Sequence, residues 1–113
     1  MSNKGADDCG FATALQAIGG KWKTSVLWIL HLRPHRFAEL RRLLSGISEK
    51  VLTQQLRQME ADGLISRHSY DEGPLRVEYA VTPLGLSLNN AVTAMSEWGK
   101  QHEAWKTHRQ TAA

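Results

Sequence analysis

The feature that most constrains the fold is the segment from Arg36 to Arg67, RFAELRRLLSGISEKVLTQQLRQMEADGLISR, which contains two short amphipathic helices joined by a tight turn. In the second helix, Leu52, Leu56 and Met59 recur at helical spacing and form an apolar stripe. Polar and basic side chains lie largely opposite: Lys50, Thr53, Gln54 and Arg57. The apolar stripe can therefore dock the helix on a core, while the polar stripe is free to enter a DNA groove.

Positive charge is concentrated around these two helices. Residues 33 to 58 include six basic and two acidic side chains, a balance of +4 in a chain whose net charge is +3, so the remainder carries −1. Such a segment favours a polyanionic partner, because neutralising phosphates drives sequence-independent affinity for DNA. A solvated helix face with ordinary arginine content would give the same balance, so charge alone leaves both interpretations open.

The chain of 113 residues has the length of one domain and can bury roughly two-thirds of its unfolded surface without disulfides or metals. It contains no apolar run of the ~20 residues that cross a bilayer, and its start, MSNKGADDCG, lacks the hydrophobic stretch of a secretory signal. The single cysteine, Cys9, cannot form an intramolecular bridge, which fits a reducing compartment. We therefore expect a cytoplasmic protein with no membrane contact.

Two helices are predicted on the N-terminal side of the segment from Arg36 to Arg67. The first runs from about Gly10 to Ile18 and stops at the paired glycines that follow. The second lies in KWKTSVLWILHL and ends before Pro34, since proline cannot continue a helix. The spacing of its apolar residues indicates that it is the centre of the core. These residues are Trp22, Val26, Leu27, Ile29 and Leu30.

The boundaries of the next two helices can be predicted from capping residues. In FAELRRLL, the apolar positions Phe37, Leu40 and Leu44 point inward with Leu43 beside them, and Gly46 closes the helix. Ser48 is a suitable N-cap for the following helix, with Glu49 in its first turn. That helix is expected to end at Asp62-Gly63.

After Gly63 the apolar pattern changes to the period of a strand. LISRHSY and RVEYAVT flank the turn residues DEGP, which is a β-hairpin signal. Thr82-Pro83 then supplies an N-cap and a proline suited to the first helical position, so a last long helix begins there.

The last helix carries an apolar stripe at alternating intervals of four and three residues, which is typical of a helix that packs on a partner helix. The stripe consists of Leu84, Leu88, Ala91, Met95, Trp98, His102 and Trp105. We expect it to form a dimer interface; the alternative is that it packs on its own domain. Gly85 and Gly99 weaken this helix and mark bends or close approach, and the tail from Lys106 is expected to fray.

Three helices followed by a hairpin, with a polar helix just before the hairpin, give the order of a winged helix-turn-helix, a mainly α fold with a small β-hairpin. Several motifs in this order resemble the HxlR-type transcriptional regulators, a MarR-like group, from Cys9 to about Trp98. These are GGKWK at Gly19 to Lys23, RFAELRRLL at Arg36 to Leu44, GIS at Gly46 to Ser48, LTQQLRQMEADGLISR at Leu52 to Arg67, and VEYAVTPLG at Val77 to Gly85.

The resemblance implies a homodimeric bacterial DNA-binding regulator, usually a repressor. Its dimerisation helices would cover about residues 10–20 and 83–107, and its DNA-binding core residues 22–82 with a wing at about 64–82. A cysteine near the N-terminus senses electrophiles or oxidants in several relatives, and Cys9 matches that position. The expected interface residues are Phe11, Leu15, Leu84, Leu88, Met95, Trp98, His102 and Trp105.

In such a fold, residues 48 to 62 enter the major groove. Gln54 and Thr53 have the chemistry for base contacts, because an amide can pair with adenine through two hydrogen bonds and a hydroxyl or methyl group can meet several bases. Lys50 and Arg57 can bind guanine or phosphate, and Ser48 lies at the helix start beside them. This helix is therefore predicted to read a near-palindromic operator twice per dimer.

Other arginines are expected to position the module on the DNA backbone. Arg36, Arg41 and Arg42 belong to the preceding helix region, which crosses the strand and does not enter the groove. In the wing, Asp71 and Glu72 would repel phosphate, so Arg76 is the predicted minor-groove or backbone contact, with Arg67 at the strand base as a second candidate; a cross-strand ion pair is the alternative for Arg76.

Other functions have less support in the sequence. A helix N-terminus would favour a reactive Cys9 thiolate, whereas Asp7 and Asp8 oppose it. Pro34 lies between His31 and His35 and spoils the shared helical face that a metal-binding pair would need. With no nucleotide loop or nucleophile motif, we expect no enzyme, metal or cofactor. The alternatives are a winged-helix module that binds protein, a redox or metal enzyme, and a regulator that responds to a small molecule.

Overall fold

The computed structural model describes residues 10–70 and 76–112, so Cys9 and the acidic wing tip at residues 71–74 lie outside the described residues. Five helices and three strands make up the described chain. In order they are α1 (Phe11–Ile18), α2 (Lys23–Leu32), β1 (His35–Arg36), α3 (Phe37–Leu43), α4 (Glu49–Ala61), β2 (Ile65–Tyr70), β3 (Arg76–Val81) and α5 (Pro83–Ala112).

The core lies between α2, α3 and α4, as the apolar spacing predicted. The apolar stripe of α4, formed by Leu52, Leu56 and Met59, is buried to 1% exposure or less, so the prediction that it docks the helix is confirmed. The prediction that Leu43 lies beside the inward residues of α3 is wrong, because its side chain is 58% exposed. The helix ends at Leu43, and the next residue, Leu44, is buried at 5% exposure, which confirms the prediction that it points inward.

The wing is part of a three-stranded antiparallel sheet with the order β1-β3-β2. The two strands of the predicted hairpin pair with Arg67 opposite Tyr79 and Tyr70 opposite Arg76. The strand β1 was not predicted; it places His35 on the other side of Tyr79. The sheet therefore anchors the wing to the link between α2 and α3.

Both ends of α4 are capped as the sequence predicted. At its start, the Ser48 hydroxyl accepts a hydrogen bond from the Val51 N–H at 3.1 Å. At its end, Gly63 adopts a left-handed φ of 78°, and the Leu64 N–H donates to the Met59 carbonyl at 3.0 Å. These caps fix the length and direction of the helix that carries the predicted DNA-reading residues.

The start of α5 is tied to the end of α4. The Thr82 hydroxyl accepts from the Gly85 N–H at 3.0 Å, which confirms the predicted N-cap, and donates to the Gly63 carbonyl at 2.6 Å. At Gly85 a Cβ atom would collide with the backbone of Leu64 and would lie 2.7 Å from Val81 Cγ2. This glycine therefore marks close approach, one of its two predicted meanings.

The helix α5 extends to Ala112, so the prediction that the tail frays from Lys106 is wrong, because the residues beyond it remain helical. At 1.5 Å per residue, a helix of 30 residues is about 45 Å long, whereas the whole described chain extends 63 × 43 × 24 Å. None of the helices in residues 10–70 and 76–112 combines the length and apolarity that a bilayer crossing requires.

Candidate nucleic-acid interface

The outward side of α4 presents the polar residues that the sequence singled out. Lys50, Gln54 and Arg57 are exposed, and their spacing of four and three residues places them on one face, opposite the buried stripe. Thr53 is half-buried on the flank of that face, and the Ser48 hydroxyl is used in the N-cap. The structure thus brings three of the five predicted residues into one exposed row.

One exposed amide on this face was not predicted. Gln58 lies one turn after Gln54, and its side chain is exposed. Helical spacing alone could have identified it, because residues four apart share a face. It extends the row of polar side chains toward the C-terminal end of the helix.

The arginines expected to contact the DNA backbone lie beside the start of α4. Arg41 and Arg42 are exposed on α3, and Arg41 Nη1 lies 3.6 Å from Glu49 Oε2. This contact joins the last turn of α3 to the first turn of α4, and sequence spacing did not indicate it. Within the described chain, Arg42 makes no ion pair, and Arg36 is exposed at the end of β1.

The position of Arg36 is fixed through its backbone. Its N–H donates to Glu39 Oε1 at 2.8 Å, which caps the start of α3. This hydrogen bond, together with the Arg33 guanidinium at 3.3 Å from Glu39 Oε2, lowers the pKa of the Glu39 carboxyl from its usual 4.5. The charged carboxylate of Glu39 therefore stabilises the first turn of α3.

In the wing, Arg76 lies across the strands from an aromatic ring. Its guanidinium carbon is 4.4 Å from the centre of the Tyr70 ring, and His68 meets the same ring edge-on at 4.5 Å between ring centres. Among the residues described, Arg76 makes this cation–π contact with Tyr70 and no ion pair. The acidic residues of the turn, Asp71 and Glu72, lie outside the described residues, so the cross-strand ion pair stays an open alternative for Arg76.

The predicted interface residues form an exposed apolar surface on α1 and α5. Phe11, Leu15, Leu84, Met95, Trp98 and Trp105 are between 42% and 63% exposed, whereas Leu88 packs partly against the core of its own domain. His102 stacks between Trp98 and Trp105, with ring centres 4.9 and 5.7 Å apart. Soluble chains rarely leave contiguous apolar surface of this kind uncovered.

The two histidines weighed for metal binding have partners inside the protein. His35 is buried, and its Nδ1 atom lies 2.7 Å from the Arg33 carbonyl, so that nitrogen donates. Asn89 Nδ2 lies 2.7 Å from His31 Nδ1, which links α5 to α2. In residues 10–70 and 76–112, no three His, Cys, Asp or Glu side chains are grouped so as to hold a metal.

Comparison with known proteins places this geometry in a family. The family model for the HxlR-like helix-turn-helix matches residues 17–107. The HTH-type transcriptional regulator YkvN of Bacillus subtilis strain 168 is 45% identical over 91 residues, which cover 80% of this chain and 77% of that protein. The residues that the family model matches include α2, the helix-turn-helix and the wing.

Solved structures have the same fold. A transcriptional regulator of the MarR family from Enterococcus faecalis V583 superimposes with a TM-score of 0.80 at 42% identity, covering 89% of this chain and 92% of that one. The redox regulator HypR in its oxidized form superimposes with a TM-score of 0.75 at 40% identity, covering 82% and 96%. The chain is therefore a winged helix-turn-helix protein that belongs to the HxlR-like family of transcriptional regulators.

Proposed function

We propose that the protein is a homodimeric repressor in the cytoplasm that binds a near-palindromic operator in double-stranded DNA. The observation that carries this proposal is the exposed row of Lys50, Gln54 and Arg57 on a helix whose opposite side is fully docked. Such a helix can enter the major groove, where amide and guanidinium groups match base edges. Family membership supports transcriptional regulation as the use of this binding.

The apolar stripe of α5 supports the homodimer. Trp98, His102 and Trp105 project from the second half of a 30-residue helix, where all side chains from Lys100 to Gln110 are exposed. A second copy related by a two-fold axis would cover this stripe, and α1 would add Phe11 and Leu15 beside it. Two α4 helices would then face successive major grooves, about 34 Å apart.

Control through Cys9 is the input that we propose for this regulator. Cys9 lies outside the described residues; the support is its position in the sequence and the 40% identity with HypR, which is named a redox regulator. Two Cys9 thiols that together lose two electrons and two protons to an oxidant form a disulfide between subunits. Such a bond, or the reaction of one thiolate with an electrophile, would change the spacing of the α4 helices.

The test of Cys9 compares wild-type protein with Cys9→Ser. Diamide or a quinone is expected to weaken DNA binding by the wild type and to leave binding by the variant unchanged. An equal response of the two proteins would remove Cys9 as the sensor and leave the DNA-binding proposal intact.

A small-molecule effector is the second candidate input. A groove of about 620 Å³ runs between α2 and α5. Its lining mixes apolar side chains such as Trp28, Ile29 and Val92 with hydroxyl groups and the charged pair Glu97 and Lys100. A pocket of this size and mixed lining suits a drug-sized apolar ligand. Ligand binding there would act on the packing between the dimerisation helix and the DNA-binding core.

A gel-shift assay tests DNA binding itself. The probe is the duplex upstream of the protein's own gene, titrated with wild type and with Lys50→Ala/Arg57→Ala at several salt concentrations. We expect the wild type to bind with an affinity that falls steeply with salt, and the double variant to bind more weakly with a shallower dependence. A wild type that binds no operator-like duplex, or binds without salt dependence, would favour a module that binds protein.

A further inference from the structure

A small cleft separates α4 from the base of the wing. It has a volume of about 190 Å³, and we call it the helix–wing cleft. Four of its lining residues belong to α4, one belongs to β2 and one to the neighbouring strand β3. The lining residues are Thr53, Leu56, Arg57, Glu60, Arg67 and Tyr79.

The cleft carries two guanidinium groups and one carboxylate. Arg67 Nε lies 3.8 Å from Glu60 Oε1, and both side chains are substantially exposed, at 52% and 40%. A close charge-assisted hydrogen bond would measure about 2.7–2.9 Å, so this ion pair is loose. Arg57 makes no ion pair in the described chain, which leaves the cleft with one net positive charge.

Two side chains that carry hydroxyl groups, Tyr79 and Thr53, line the same space. Among the residues described, neither the Tyr79 nor the Thr53 hydroxyl makes a hydrogen bond. Burial raises the pKa of Tyr79; the charges of Arg67 and Arg57 oppose that shift, and the charge of Glu60 adds to it. The phenol therefore remains a hydrogen-bond donor at neutral pH.

The position of the cleft relative to bound DNA indicates which chemical group can bind there. In a winged helix-turn-helix bound to DNA, α4 occupies a major groove and the wing reaches toward the adjacent minor groove. A single sugar-phosphate strand separates those two grooves, so it must pass over the space between α4 and the wing. A phosphodiester is also the chemical group that guanidinium and hydroxyl donors match best.

We propose that the helix–wing cleft seats a backbone phosphate of duplex DNA, with Arg67 and Arg57 as cationic ligands and the Tyr79 and Thr53 hydroxyls as donors. This inference rests on the proposed DNA-binding function. Glu60 holds Arg67 at the cleft in the free protein, and Arg67 exchanges this loose ion pair for the phosphate in the complex. Glu60 thus limits non-specific affinity, because its carboxylate repels phosphate.

The test measures binding of a random-sequence duplex by fluorescence anisotropy as a function of salt. Arg67→Gln is expected to weaken binding about tenfold and to reduce the slope of log K against log salt by about 0.9, the value for one lost phosphate contact. Arg67→Lys keeps the charge and should restore the slope. Tyr79→Phe should weaken binding with the slope unchanged, and Glu60→Gln should tighten binding.

Lys100→Gln is the matched control, since Lys100 also pairs with a carboxylate, that of Glu97 at 4.0 Å, but lies on α5 away from the cleft. Its removal should leave the affinity and the slope near those of the wild type. Circular dichroism should show the same helix content in all variants, because the substituted charged groups are exposed and Tyr79→Phe removes only a hydroxyl group.

The outcomes of these measurements distinguish a failure of this inference from a failure of the proposed function. If the wild type binds DNA and Arg67→Gln matches it in affinity and slope, the cleft contacts no phosphate and only this inference fails. If Arg67→Gln leaves duplex binding unchanged but abolishes thermal stabilisation by inorganic phosphate, the cleft binds a free anion, which also overturns the proposal. A wild type that binds no duplex overturns the proposed function and this inference together.

Discussion

We propose that individual residues on α4 and α3 make two kinds of contact with DNA. The amide of Gln54 can distinguish bases, because it can donate and accept hydrogen bonds at the same base edge, whereas Arg42 offers only charge and donors. Their different positions support this division, since Gln54 lies on the outward face of α4 and Arg42 on α3.

This division predicts opposite effects for two substitutions. Gln54→Ala should relax discrimination at one base position of each half-site by about 1–3 kcal/mol and leave the salt dependence unchanged. Arg42→Ala should weaken binding uniformly across sequences and lower the salt slope by about 1. Titrations of a selected operator and its single-base variants measure both quantities. A uniform loss for Gln54→Ala would contradict its proposed role in base recognition.

Glu39 allows a prediction about stability and pH. Its folded pKa is lowered, first by the hydrogen bond from the Arg36 N–H and then by Arg33. The stabilisation is therefore present above the usual glutamate pKa of 4.5 and is lost as the pH falls through the lowered folded pKa. Glu39→Gln should unfold at lower denaturant concentration than the wild type at pH 7, and the difference should shrink toward pH 3.

The control for this prediction is Glu103→Gln, because Glu103 pairs with Lys106 on the exposed surface of α5 and caps no helix. Its effect at pH 7 should be small. A Glu39→Gln protein whose deficit stays constant from pH 7 to pH 3 would show that the carboxylate charge does not hold the start of α3.

At the scale of the elements, the helices could be predicted because their ends are marked by specific residues. Ser48, Gly63 and Thr82 all cap as their positions indicated. The strand β1 has no such signal, since two residues cannot show alternation, and its partner Tyr79 lies far along the chain. Leu43 was predicted wrongly because it is adjacent to Leu44: two successive side chains at the end of a helix point in different directions, and only Leu44 enters the core.

The contact between α5 and the end of α4 predicts different effects for two glycines of the same helix. Gly85→Ala should destabilise the fold by about 1–3 kcal/mol, because the new methyl group meets the backbone of Leu64. At Gly99 nothing lies within 4 Å of an added Cβ, so Gly99→Ala should stabilise the protein by up to about 1 kcal/mol. Urea unfolding measures both; equal destabilisation by the two substitutions would contradict the close approach at Gly85.

At the scale of the whole molecule, the candidate site was predictable residue by residue but not as a set of contacts. Helical spacing identified Lys50, Gln54 and Arg57, because an exposed face follows from the period alone. The ion pair of Arg41 with Glu49 and the placement of Arg67 opposite Tyr79 depend on how α3, α4 and the sheet pack. Such contacts join elements across turns, which sequence spacing does not fix.

Dimerisation through α5 predicts different behaviour for two tryptophans with equal exposure. Trp105 and Trp28 are each 53% exposed, but only Trp105 lies on the apolar stripe of α5. Trp105→Glu should shift the protein from dimer to monomer in analytical ultracentrifugation and lose operator binding, because a buried unpaired carboxylate opposes association. Trp28→Glu should remain dimeric, and a monomeric wild type would contradict the proposed interface.

The claim that two α4 helices read DNA together is tested most directly by hydroxyl-radical footprinting on a duplex selected from a random pool. Wild-type protein should protect two half-sites related by a dyad, with centres about 34 Å apart or at a multiple of one helical turn. Lys50→Ala/Arg57→Ala should lose both protected regions at the same protein concentration. A single protected half-site, or protection that the double substitution leaves unchanged, would contradict the proposal.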